Sequence, residues 1–207
     1  MIKRLLACVA VWSAVAAGAA ETKYYAIATA GDVDFELAQK IRNYLESQTG
    51  VAVRFADPIP AKDGQSLEAI GRAASTALKA DELGVVVLAQ PGRGQPQGVC
   101  LPHERFGILN LTRLGEGVDE ERLVRRAGQD GLRVMSMLLG MSPCPFHLCV
   151  LATFEKTEDL DGMSGNFCPP CRDRFMRLAR EAGAATVAQP EADGGGVQAI
   201  PAAAEAE

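Results

Sequence analysis

LRVMSMLLGMSPCPFHLCVLATFEKTEDLDGMSGNFCPPC, residues 132–171, holds four of the six cysteines of the chain. Cys144, Cys149, Cys168 and Cys171 follow the spacing C-x4-C-x18-C-x2-C, two short chelating pairs joined by a loop. Each pair closes a small ring around one ion, the arrangement of a tetrahedral four-thiolate zinc site. Such a clamp ties the preceding stretch to whatever follows Cys171 across a segment poor in large apolar residues, so its natural role is stability. Two other chemistries use the same residues. In an oxidising compartment the four thiols form two structural disulfides. Alternatively Cys168-Pro169-Pro170-Cys171, just before a helix and beside Arg172 and Arg174, is a dithiol redox pair whose thiolate the helix dipole and the arginines favour. The spacing favours zinc, because a redox pair of this kind follows a strand, whereas residues 161–167 read as loop.

Toward the N-terminus, residues from Asp119 to about Leu139 form the longest predicted helix, with acids in its first turn and Leu123, Ala127, Val134 and Leu138 on its apolar face. Before it, Val99 to Pro102 and Phe106 to Leu111 read as two strands paired with each other. Gly84 to Ala89 is a run of the kind buried on both faces. A helix begins at Ser66 and carries Leu67, Ile70, Ala74 and Leu78 on one side. The opening is β-α-β: a strand over Thr22 to Ala30, a helix capped by Asp32 and Asp34 that runs to about Gln48 and closes at Gly50, and a strand over Val51 to Ala56. That helix buries Phe35, Leu37, Ala38, Ile41, Tyr44 and Leu45. A short helix over Arg172 to Ala182 follows the last cysteine. The expected class is α/β, one compact domain with a mixed sheet packed against helices and a C-terminal four-cysteine clamp.

Of the 207 residues, 1–20 read as a secretory signal peptide: Lys3 and Arg4 lead the apolar stretch Leu5 to Ala17, and Ala17-Gly18-Ala19 is a small-residue cleavage site. Almost no apolar run precedes Cys8, which argues against lipidation there. Residues 21–182 form the domain, and 183–207, rich in Ala, Gly, Pro and Glu, form a disordered tail. The expected location is periplasmic or extracellular, with no membrane contact after cleavage. A net charge of -5 with scattered lysines and arginines argues against a general affinity for nucleic acid. Cys100 reads as a small buried residue, and the pair His103-Glu104 as solvated.

The quoted segment resembles the archaemetzincins, zinc metallopeptidases with the motif H-E-x-x-H-x-x-G-x-x-H-C-x4-C-x-M followed by C-x-x-C. Leu138-Leu139-Gly140-Met141 is similar to the motif's L-L-G-L, and Asn166-Phe167-Cys168-Pro169-Pro170-Cys171 to its closing F-C-P-x-C. Gly31-Asp32-Val33-Asp34 and Val51-Ala52-Val53-Arg54 are similar to the family's opening. The resemblance spans roughly Tyr24 to Ala182 and implies a metzincin-like fold. It also implies ligand positions that this chain fills with other chemistry: Arg133 and Met137 at the first two, Val134 at the general base, and Pro143 at the third. A catalytic zinc needs three ligands, an open position and a carboxylate to take the proton of its water. Arginine, valine and proline supply none of these, and methionine only a soft thioether. The chain has two histidines, His103 and His147, too few to replace three. The resemblance therefore implies one structural zinc, no catalytic zinc, and a former substrate groove that takes an extended peptide or protein. A metallopeptidase with an unrecognised site and a dithiol oxidoreductase using Cys168 and Cys171 stand as alternatives.

Overall fold

The computed structural model describes residues 22–62, 64–91 and 94–187; the expected signal peptide and residues 188–207 lie outside them. Strand β1 (Tyr24–Ala30) leads to α1 (Phe35–Thr49), β2 (Val53–Phe55), α2 (Leu67–Thr76), β3 (Glu82–Ala89), β4 (Gly98–Leu101), a 3-10 turn over Pro102–Glu104 and β5 (Phe106–Asn110). Then come α3 (Leu111–Leu114), α4 (Glu120–Leu138), α5 (Asp159–Gly162) and α6 (Pro169–Glu181). The sheet has the order β2-β1-β3-β5-β4. All neighbours are parallel except β4, which returns antiparallel beside β5. Among the described residues no helix is long and apolar enough to cross a membrane.

Alternation along the two central strands builds a core on each face of the sheet. Tyr25, Ile27, Val86 and Leu88 point toward α1, α4 and α6. Ala26, Ala28, Ala30, Val85, Val87 and Ala89 point toward α2, where the small alanines let Leu67 and Ile70 come down onto the sheet beside Phe106 of β5. Helix caps follow from the sequence: Asp34, Ser66 and Asp119 each accept an amide hydrogen three residues on, and Gly50 closes α1 in the left-handed region at φ 66°.

Glycines inside α4 have a packing role. A Cβ at Gly128 would lie 2.3 Å from the Tyr44 ring, and one at Gly131 would lie 2.9 Å from Leu45, so the pair lets α1 lie close against α4. Tyr44 cannot swing aside, because its hydroxyl donates to the Gly165 carbonyl at 3.1 Å. Gly128→Ala is therefore expected to destabilise by about 1–3 kcal/mol through overpacking, more than the ~1 kcal/mol gained in helix propensity. Thermal unfolding will show a lowered midpoint, and an unchanged or raised one would mean that the helices separate freely.

Several boundaries differ from expectation. β2 is only Val53–Phe55, because Val51 and Ala52 pair instead with the C-terminal segment. α6 starts at Pro169 rather than near Arg172; the two prolines occupy its first turn, where no amide hydrogen is needed. α5 lies partly in a stretch read as loop, held by Asp159, whose carboxylate accepts the amide hydrogens of Glu155 and Lys156. The expected boundary at 182 falls short of the paired chain: Lys23 N–H donates to Gly183 O at 2.8 Å, and Ala185 N–H to Lys23 O at 2.7 Å.

Candidate functional site

α4 ends in a Schellman turn. Gly140, at φ 77°, follows the cap, its N–H reaches Met137 O, and Met141 N–H reaches back to Ser136 O. This reversal sends residues 142–168 back along the helix and brings the four expected cysteines together. Their Sγ atoms all lie within 4.8 Å of one another, with Cys144 and Cys168 at 3.8 Å. Metal–sulfur bonds of ~2.3 Å in a tetrahedron place sulfurs ~3.8 Å apart, so the cluster has the size of one ion's donor set. Backbone amides point at the sulfurs as they would at thiolates: Leu151 and Cys168 N–H at Cys149, and Phe146 N–H at Cys144. Burial raises the Cys149 thiol. At Cys168 burial opposes ionisation too, but the Cys171 amide and the neighbouring thiols outweigh it and lower the thiol. The thiol chemistry and the spacing fit a zinc-like ion, and Cys144, Cys149, Cys168 and Cys171 are the residues that would hold it.

The irregular segment is also held by a row of donors along α4, which sequence reasoning missed. Arg126, only 2% exposed, donates from Nε and Nη2 to the Asp161 carboxylate at 2.9 and 2.6 Å and from Nη1 to Leu114 O at 3.1 Å. Gln129 Nε2 donates to Leu160 O at 3.1 Å and approaches Met163 O and Ser164 O. Arg133 Nη1 donates to Val150 O at 3.1 Å and to Ala152 O. The signal was available: three long polar residues at intervals of three and four lie on the buried side of a helix.

Beside this row opens a cleft of about 250 Å³, lined by Gln97 to Cys100 from the β4 side, by Asp130, Arg133, Val134 and Met137 from α4, and by Ile108 and Phe154. The Arg133 guanidinium lies over the Phe154 ring at 4.7 Å. Its Nε stands 3.8 Å from Asp130 Oδ1, both side chains being 15% exposed. Burial pushes the Asp130 carboxyl up to about 6 against the pull of Arg133 and of a hydrogen bond from Gln97, whose Oε1 in turn accepts from the Thr157 hydroxyl at 2.8 Å. Cys100 faces the cleft with its thiol pushed up to about 11 by burial and by Asp130.

The crystal structure of archaemetzincin from Methanopyrus kandleri superposes with a TM-score of 0.63 at 17% identity, covering 76% of this chain and 96% of that one. The fold is that of the archaemetzincins. A zinc-dependent peptidase from Methanocorpusculum labreanum gives 0.61 at 16% identity over 73% of this chain and 99% of that one. The malonate complex of archaemetzincin from Archaeoglobus fulgidus gives 0.52 at 16% over 72% and 99%. No family model and no curated protein matches the sequence.

Within this archaemetzincin fold the four positions singled out by the motif converge. Arg133, Val134 and Met137 line the cleft, and Pro143 borders a small pit with Arg133 and Met137. Val134 is buried against the strand, where a Cβ on Gly107 would lie 2.4 Å from it. Neither histidine lines the cleft: His103 is exposed on the 3-10 turn, 3.6 Å from Glu104, and His147 is exposed between Cys144 and Cys149. Glu104 is less solvated than its sequence suggests, since its carboxylate takes Arg72 Nε and Nη2 at 2.8 and 3.2 Å.

Proposed function

We propose that this chain is an exported, non-catalytic binding protein on the archaemetzincin fold. One zinc ion at Cys144, Cys149, Cys168 and Cys171 holds it together, and the cleft beside α4 takes extended peptide. The observation that carries this reading is Arg133: a cation anchored to backbone carbonyls stands among the cleft residues, where a second metal dication would need imidazoles and an open position. The zinc supplies a cross-link between the turn after α4 and the start of α6, not a Lewis acid.

The edge of the sheet supports the peptide part. Asn110 N–H donates to Gln97 O at 2.8 Å, and with the register Val99↔Ile108 this sets the pairing phase. Val99 and Leu101 turn their backbone groups to β5, so Gly98 and Cys100 turn theirs to the free edge. Both border the cleft, and a peptide strand can pair with them without any metal.

Metal analysis of the purified protein is expected to find about one zinc per chain, lost together with stability on chelation and thiol blocking. Peptides should not be cleaved in a chelator-sensitive way, and insulin should not be reduced. A metal-free chain with two intact disulfides rejects the clamp; chelator-sensitive cleavage rejects the non-catalytic reading.

A further inference from the structure

The hydrogen bonds of Arg133 are divided unevenly. Nη1 serves two carbonyls and one flat face covers Phe154. The opposite edge, the parallel fork of Nε–H and Nη2–H, donates no hydrogen bond among the described residues, for the Asp130 carboxylate stops 3.8 Å from Nε. A largely buried guanidinium whose fork makes no hydrogen bond, on a residue that lines a cleft of about 250 Å³ together with Asp130, is shaped for a planar two-oxygen acceptor.

We propose that this fork is a carboxylate site at the floor of the cleft, so that the peptide taken there presents a terminal or side-chain carboxylate to Arg133. The proposal rests on the reading of the cleft as a peptide groove and specifies what that groove selects. Asp130 sets the conditions. Ionised, it repels a second carboxylate; protonated, it can donate its own hydrogen to the ligand. Among the described residues the charged and titratable groups that act on it are few: Arg133 on α4 is a cation throughout, the Cys100 thiol on β4 stays neutral with its raised value of about 11, and Cys149 acts on Arg133. Gln97, Met137 and Phe154 carry no charge. With Asp130 raised to about 6 by burial and a ligand carboxylate ionised above ~4, binding strengthens as pH falls from neutrality toward 5.

The test uses the zinc-loaded protein and calorimetric titration with four probes. These are an acetylated alanine–valine tetrapeptide as the free acid, its C-terminal amide, the amide with one internal glutamate, and succinate. At pH 5.5 the free acid or the glutamate peptide should bind about tenfold or more tighter than the plain amide, the worth of one charge-assisted pair, and the better of the two identifies the source of the carboxylate. Asp130→Asn, which keeps the shape, should raise carboxylate affinity at pH 7.5 and flatten the pH profile. Arg133→Lys, which keeps the charge but not the fork, should lower it. Equal affinity for acid and amide overturns the carboxylate site while sparing the groove. Binding of succinate but of no peptide keeps the site and removes the groove. No binding by any probe removes both. Should Arg133→Lys fail to fold, the Asp130→Asn profile decides, and an unaltered pH dependence in that variant overturns the proposal.

Discussion

Cys149→Ser is expected to abolish binding of the zinc proposed at the four cysteines and to loosen the described segment that follows α4. Cys149 is the one fully buried member of the four, 1% exposed, and its sulfur is addressed by two backbone amides. A serine oxygen is shorter and does not ionise at neutral pH, so the donor set drops to three sulfurs. Structural zinc contributes ~10–16 kcal/mol in small metal-folded peptides, against a total domain stability of ~5–15 kcal/mol. Loss of even a third of that lowers the thermal midpoint by ~10 °C or more. Zinc content and melting temperature should fall together, and retention of both would assign the stabilisation to the α4 donors instead. Acid should act in the same direction. A zinc ion at this site would hold thiolates, whereas without it burial favours the protonated Cys149 thiol. Protons therefore compete with zinc increasingly as pH falls, and the stabilisation present at neutral pH is lost on acidification.

Arg126→Ala should be the most damaging change outside the cysteines. The guanidinium is buried and makes a two-pronged bond to Asp161 besides satisfying the Leu114 carbonyl. Removing one partner of such a pair costs ~3–5 kcal/mol, moderated here because the Asp161 side chain is 32% exposed and can be rehydrated. Urea unfolding should show a reduced midpoint at unchanged slope. In the native protein the hydrogen bond from Arg126 lowers the Asp161 carboxyl against its desolvation. The pair's contribution is thus present above the ordinary aspartate value near ~4 and is lost as pH falls through the folded value. Arg126→Ala should abolish that part of the acid sensitivity. A loss below ~1 kcal/mol would mean that the pair is no better than a surface ion pair.

The sheet and the long helices were legible because their signals are local. Alternation and β-branched runs give β1 and β3, cap residues Asp34, Ser66 and Asp119 give the helix starts, and the cysteine spacing gives the cluster. What was not legible depends on partners distant in sequence. Gly183 to Val187 have a tail's composition but meet Lys23, Gly50 and Ala52. The spacing of Arg126, Gln129 and Arg133 marks them as facing inward from α4, but what they hold becomes visible only when residues 150–164 fold back over them. Asp130 drew no notice because the groups beside it, Gln97 and Cys100, lie some thirty residues upstream.

The pairing of Lys23 with Gly183 and Ala185 places the beginning and end of the described chain side by side. The described segment 22–187 is thus nearly a closed ring, and its point of opening can be moved. A circular permutant joining Val187 to Thr22 through a few flexible residues, and cut at the exposed turn around Gly117 (φ 71°), keeps every strand neighbour of the sheet.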